Sequence, residues 1–328
     1  MNTTTYNKEH RIRFQQKVRS FGLAIVTLVL GSQLLLAGHK TGLAFLKIPV
    51  GARGVGLGSA YTALANDVSG MFWNPGGLPT VSSREVGLFH TDSFEDVNFD
   101  VVGLALPSKW GTFGLGVSYL SQGELEGRDI HRQKTGSFEA SDLSVNVAYG
   151  RTVSLFSQSI HMGGNVKAIQ SRLADESAET VALDLGIIHG TPISRLNMGW
   201  AVQNMGPGVK FDQKRYPLPL TLSAGLAYAI PFGLGLTMDL KHQPHDNITT
   251  TSLGAEYSVM SFISVRGGYM ANLAGQVSQL GSSADPSTQL KGLGGGIGLA
   301  FSRFNVDYSF TPFDELGDVQ RVNLSAKF

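Results

Sequence analysis

The chain has no cysteine, which excludes a disulfide framework, a thiolate metal centre and a cysteine nucleophile. It is also short of charge. Asp, Glu, Lys and Arg make up 16% of 328 residues, against about a quarter of an ordinary soluble domain. Neither sign dominates, with 26 Lys+Arg against 25 Asp+Glu, so the sequence offers no basic face of the kind that binds nucleic acid. Long apolar runs are missing beyond the N-terminal region, and mean hydropathy is +0.03. That excludes a bundle of membrane helices, each of which needs about 20 apolar residues. What the chain has in quantity is glycine, 41 residues.

The one long apolar run lies at the start. Arg11, Arg13, Lys17 and Arg19 precede a stretch from Phe21 to Leu36 that ends on the small residues Ala37 and Gly38. This is the layout of a secretory signal peptide cut after Ala37 or Gly38, with a retained anchor as the alternative. Residues 1–38 are therefore set apart from the fold, and the remainder is expected outside the cytoplasm.

From residue 84 onward the dominant period is two. Val322, Leu324, Ala326 and Phe328 alternate with Arg321, Asn323, Ser325 and Lys327, and Leu234, Leu236, Met238 and Leu240 alternate with Gly235, Thr237, Asp239 and Lys241. Successive side chains on a strand point to opposite faces, so each segment has one apolar face and one polar or glycine face. Such segments fall at 84–92, 98–106, 112–121, 141–151, 159–171, 178–190, 195–204, 218–230, 233–242, 248–257, 262–270, 290–301, 303–311 and 319–328. Each is about 9–13 residues, the length a tilted strand needs to cross a bilayer. The connections alternate between long and tight, as extracellular loops and periplasmic turns do. A soluble β-sandwich would instead carry Lys and Glu on its exposed face; here the polar face is mainly Gly, Ala, Ser, Asn and Thr, which suits a confined lumen. The reading is all-β: a 14-stranded antiparallel transmembrane β-barrel over residues 84–328. Phe328 closes an alternating strand, as the assembly signal of outer-membrane barrels does, so the barrel-assembly machinery and outer-membrane lipid are expected partners. An even strand count puts both barrel ends in the periplasm, so residues 39–83 are expected to start there and both termini to be periplasmic.

Residues 39–83 break the pattern. Gly51, Gly54, Gly56 and Gly58 crowd together, residues 59–67 read as a two-turn helix, and Trp73, Asn74 and Pro75 form a turn. The glycine spacing is a poor dinucleotide fingerprint, because no strand precedes it and no βαβ unit surrounds it. Close backbone packing is the better reading, and the segment is expected to fold up into the lumen as a plug, or hatch.

The string Phe45-Leu46-Lys47-Ile48-Pro49-Val50-Gly51-Ala52-Arg53, the stretch from Gly56 to Asp67, and Trp73-Asn74-Pro75-Gly76-Gly77-Leu78 resemble the N-terminal signature of PorV/PorQ-type proteins. These belong to the wider FadL-like barrels, and the resemblance continues in order through Tyr149-Gly150-Arg151, Leu183-Asp184-Leu185-Gly186, Leu253-Gly254-Ala255-Glu256-Tyr257, Arg266-Gly267-Gly268-Tyr269 and Asp307-Tyr308. It implies a fourteen-stranded barrel with an N-terminal hatch. Gly76-Gly77 departs from the usual Ala-Gly, and Ser309-Phe310 from the usual small residues.

No catalytic constellation is evident. His242, His245 and Asp246 share a short loop that is read as a solvated tip rather than a metal site, and no serine stands out beside His161. The expectation is a protein that is not an enzyme, with no cofactor and no metal. Arg151, Lys167, Asp184, Asp239, Lys241, Glu256, Arg266 and Asp307 are expected to face the lumen. Their mixed signs suit mutual pairing and retention of the plug better than a ring that selects one ion sign. Two functions follow from the resemblance: a FadL-like conduit or binding site for a hydrophobic small molecule, or a non-enzymatic component of type IX protein secretion and attachment, with secretion-system proteins as partners.

Overall fold

The computed structural model describes residues 41–328 except 94–96, 129–130, 156–157, 212, 274–291 and 313–317. The leader read in residues 1–38 lies outside the described residues. The strands are β1 (Glu85–Asp92), β2 (Asn98–Ser108), β3 (Gly111–Arg128), β4 (Lys134–Leu155), β5 (Gln158–Leu173), β6 (Glu176–Gly190), β7 (Leu196–Met205), β8 (Val209–Phe211), β9 (Lys214–Tyr216), β10 (Thr221–Ile230), β11 (Leu234–Gln243), β12 (Ile248–Met260), β13 (Ile263–Asn272), β14 (Leu293–Phe301), β15 (Phe304–Pro312) and β16 (Asp318–Lys327). All except β8 and β9 close into one antiparallel barrel of fourteen strands, in which sequence neighbours pair and β1 pairs with β16. The two short strands form a separate hairpin above the rim.

The period-two pattern decides which face each residue takes. In β4, Ser144, Asn146 and Ala148 are buried while Val145, Val147 and Tyr149 are exposed. The same exposed apolar wall continues through Leu115, Val117, Val166, Leu185, Met238, Leu253, Ile297 and Leu324. An apolar surface this continuous around a closed barrel has the form of a bilayer-facing belt. Trp110, Phe232, Phe262, Phe301, Phe304 and Phe328 are exposed at the end where the tight turns lie, which is the place of an interfacial aromatic girdle. We call this the turn end and the opposite rim the loop end.

Strands β3 and β4 run well past their predicted limits. Their hairpin continues beyond a bulge at Ser121/Glu124, and Glu126 pairs with Arg128 and Lys134 near its tip. Outside a bilayer a ladder needs no apolar face, so the sequence pattern stops while the strands go on.

Residues 41–83 fill the lumen with little regular structure. They contain one helical turn, α1 (Ala52–Gly56), and 3-10 turns at Ala44–Lys47, Val68–Phe72 and Pro75–Thr80. Two expectations fail here. Residues 59–67 are not a two-turn helix; the helical turn lies upstream, in the glycine stretch. The backbone N–H groups of Tyr61 and Thr62 instead donate to Asp239 of the wall, at 3.0 and 2.9 Å, and Ser59 takes a φ of 66°, so wall contacts displace local helical bonds. The plug also does not start at the turn end. Gly42 N–H donates to Pro217 O at 3.0 Å and Thr41 binds Asp246, both at the loop end, whereas Phe328 N–H donates to Arg84 O at the turn end. The plug therefore runs from the loop end down through the barrel to β1.

Lumen-facing glycines let backbone meet backbone. A Cβ on Gly268 would lie 2.0 Å from Gly58 N, and one on Gly163 would lie 2.1 Å from Pro75 O. Gly58 itself has φ +63°, and a Cβ there would meet Tyr269 N at 2.5 Å. Because neither side is a flexible side chain, Gly268→Ala is expected to destabilise the plugged barrel by about 3 kcal/mol, read as a lowered melting temperature in detergent. Surface-facing Gly267, with nothing within 4 Å of its Cβ position, should tolerate the same change.

Candidate functional site

The site is built where the plug meets the wall. On the β12–β15 side Arg53 of α1 donates to both oxygens of Glu256, each at 2.9 Å. Arg266 donates to Glu256 at 2.6 Å and to Asp307 at 2.6 Å. Arg53 also reaches Asn66 at 2.7 Å and Asp67 at 3.3 Å, and Tyr61 OH donates to Asp67 at 2.5 Å. Asp67 caps the Val68–Phe72 turn by accepting from Ser69 N–H. Arg53, Asn66, Asp67, Glu256, Arg266 and Asp307 line a polar cavity of about 320 Å³ at the turn end. Alternating cations and anions leave it no single-sign field, and the pairs tie the plug to the wall.

Asp239 takes three bonds from the plug, from Tyr61 N–H, Thr62 N–H and Thr62 Oγ1 at 2.6 Å. Lys241 donates to Ser59 O at 2.7 Å and lies 4.4 Å over the Trp73 ring. Trp73 Nε1 donates to Val50 O at 2.7 Å. Asn74 caps the Pro75–Thr80 turn, with Pro75 at its first position, and donates to Thr62 O and Ile187 O. Lys167 donates to Asn204 Oδ1 at 2.7 Å and pairs with Asp184 at 2.8 Å, both fully within the wall. Gly51, Gly54, Gly56 and Gly58 supply close approaches: Gly54 backs onto the Trp73 ring and Gly56 onto Gly296.

The β2–β6 side is different. Phe45, Val50, Val68, Met71, Phe99, Val101 and Leu120 form one apolar cluster, with Leu46, Ile48 and Phe72 packed against it. Between plug and wall it leaves a cavity of about 40 Å³, lined by Phe45, Leu46, Ile48, Val50, Phe72 and Phe99, with Ser118, Ser144, Asn146 and Lys167 as its polar edge. Apolar and polar groups converge on it as they do in small-molecule sites, but its volume is far below the roughly 300–1,000 Å³ of such sites.

At the loop end Asp246 clasps the start of the plug, accepting from Thr41 N–H and Thr41 Oγ1 at 3.1 Å and from Lys47 Nζ at 2.8 Å. Two sequence expectations need correction here. The loop carrying His242, His245 and Asp246 is a solvated tip only in part: His245 is exposed while bonding to Leu218 O, but His242 is buried and Asp246 holds the plug. No metal-binding group of three or more His, Cys, Asp or Glu occurs among the described residues. Arg151 does not face the lumen. It shares the parity of Val147 and Tyr149 and is exposed on the outer side near the turn end, where the interface solvates its charge. Arg321, by contrast, was visible on the polar face of the last strand. It is buried, and its Nε and Nη1 have no hydrogen-bond partner among the described residues. Thr41, Thr62 and Asp246 had no local signal, since their partners lie some two hundred residues away.

The profile of an uncharacterised protein family, UPF0164, matches residues 36–290. A UPF0164 protein of Treponema pallidum (strain Nichols) is 28% identical over 225 residues, 62% of this chain and 53% of the relative, so the chain spans about half the length of the curated relative it matches. The solved CymD monoaromatic hydrocarbon channel has a TM-score of 0.58 at 14% identity, with 88% of this chain and 99% of that chain covered. A Pseudomonas aeruginosa FadL homologue gives 0.54 at 13% identity, covering 89% and 99%. At these identities the likeness is one of fold, and the fold is FadL-like.

Two tests probe the contacts. Glu256→Gln leaves Arg53 and Arg266 facing each other short of an anion and is expected to destabilise the plug by about 3 kcal/mol; unchanged thermal melting in detergent would remove the lock from the account. Burial opposes ionisation of Asp246, but the Lys47 ammonium and the Thr41 donors outweigh it and hold its carboxyl below the ordinary value. A depressed folded-state pKa contributes stability that is complete above the ordinary carboxylate value of about 3.9 and is lost as pH falls through the lower one. Amides of residues 41–48 should therefore exchange with deuterium faster, after correction for intrinsic rates, only in acid. In Asp246→Asn they should be fast already at neutral pH.

Proposed function

The chain belongs to the UPF0164 family, and we propose that it is a FadL-like outer-membrane conduit or binding site for a hydrophobic small molecule. The observation that carries this reading is the small cavity between the plug and β2–β5, in which six apolar side chains of the plug and β2 face Ser118, Ser144, Asn146 and Lys167 of the wall. Its volume is near that of a single water molecule, about 30 Å³, so a solute enters only as the strap of residues 41–50 moves. Among the described residues the strap's one ionic hold is the Asp246 clasp, on the side from which a solute would arrive with the loop end facing outward. Burial of six apolar side chains around the cavity provides the attraction, and the polar edge orients the solute. The CymD neighbour, named as a monoaromatic hydrocarbon channel, supports small apolar molecules as the substrate class.

The reading includes a leader removed on export, a turn end in the periplasm and Phe328 as the recognition signal for barrel assembly. The strings at 45–53 and 73–78 support a PorV/PorQ-type subfamily. Neither the described loops nor the relatives favour the secretion-component alternative.

N-phenyl-1-naphthylamine fluorescence on the purified barrel tests the binding function. Saturable enhancement, reversed by excess toluene, is expected. Phe99→Asn and Ile48→Asp, which place polar groups in the cavity lining, should each weaken it about tenfold. Probe uptake that is linear with concentration, or equal in both variants, would overturn the reading.

A further inference from the structure

The outer wall carries a depression that the lumen account does not use. Near the loop end, Val145, Ala168 and Val181 stand side by side on β4, β5 and β6. All three point away from the lumen, and the alanine leaves a furrow of methyl depth between two exposed valines. In the row above, Gln170 donates to Glu179 at 3.0 Å. Over this the β8–β9 hairpin projects as a partial roof, and the open depression beneath it measures about 570 Å³. The hairpin is held in place from two sides. Thr180 Oγ1 donates to Pro207 O at 2.8 Å, while Val209, Phe211 and Tyr216 pack into the apolar cluster over the plug.

That packing turns Lys210 and Arg215 outward, over the furrow, and the two are direct cross-strand partners. Like charges in that position destabilise a hairpin. Arg215 reaches only the Gly208 carbonyl, at 3.1 Å, and among the described residues neither cation has a carboxylate within ion-pair distance. Glu179, the carboxylate lining the depression, is turned onto Gln170. The arrangement thus has an apolar furrow in the bilayer-facing wall and, at its mouth, two opposed cations. A phosphate between them would convert repulsion into charge-assisted hydrogen bonds, and a hydrocarbon chain would fill the furrow.

We propose that this depression binds one anionic phospholipid of the leaflet at the loop end, its acyl chain along Ala168 and its phosphate between Lys210 and Arg215. Native mass spectrometry of the purified full barrel tests it, with dioleoyl phosphatidylglycerol and dioleoyl phosphatidylcholine supplied in equal amounts. The wild type is expected to retain one phosphatidylglycerol at least fivefold more often than phosphatidylcholine. The double variant Lys210→Gln/Arg215→Gln should bring the two lipids to parity. Ala168→Leu, which fills the furrow and leaves the cations intact, should cut retention of phosphatidylglycerol several-fold. Heat-modifiable mobility verifies that each variant is folded. Equal retention of the two lipids by the wild type, a preference that survives loss of both cations, or retention unaffected by Ala168→Leu would each overturn the proposal.

Discussion

An irregular segment enclosed in a barrel must find a partner for every backbone N–H and C=O without help from bulk water. Residues 41–83 meet that demand with very little helix, and most of the other features answer to it. Asp239 accepts from two consecutive plug N–H groups, Asn74 donates to plug and wall carbonyls together, and Lys241 and Trp73 each satisfy a plug carbonyl. The barrel supplies through side chains what a helix or sheet would supply to itself.

The same demand explains the glycines and the sign-balanced charges. Short side-chain bonds require the plug to lie against the wall, and wall residues such as Gly163, Gly186 and Gly268 admit it only because they lack a Cβ. Charges brought that close are costly unpaired, and Arg53, Glu256, Arg266 and Asp307 form a chain of alternating sign; Arg321 is the exception among the described residues. The polar half of the lumen holds the plug through charge and keeps a polar cavity of about 320 Å³, while the apolar half packs more tightly and leaves about 40 Å³. The division follows from which strands carry charge, β12, β13 and β15, and which carry Phe99, Val101 and Leu120.

All fourteen barrel strands were legible, because a wall with lipid on one face and a packed lumen on the other writes its period directly into the chain. The short β8–β9 hairpin and the outer reaches of β3–β4 were not, since neither has a bilayer-facing side. The lumen charges follow the same parity, and by that parity Arg151 belongs with Tyr149 on the outer face. Inside the plug, periodicity carries no information. Residues 59–67 have helical composition but answer to Asp239 of β11, and the direction of the plug rests on Asp246, remote in sequence from Thr41. Contacts of that range leave no local trace.

The plug is attached differently at its two ends. At the turn end it continues covalently into β1 beside the Arg53 lock; at the loop end only the clasp and its neighbouring contacts hold it. On the proposed conduit function, this would amount to two valves in series with separate latches. If the latches release independently, the barrel leaks only when both are open at once, a probability that is the product of two small numbers. Loading the cavity needs only the first. Such a device can admit a solute often and still insulate one side of the membrane from the other, as an airlock does.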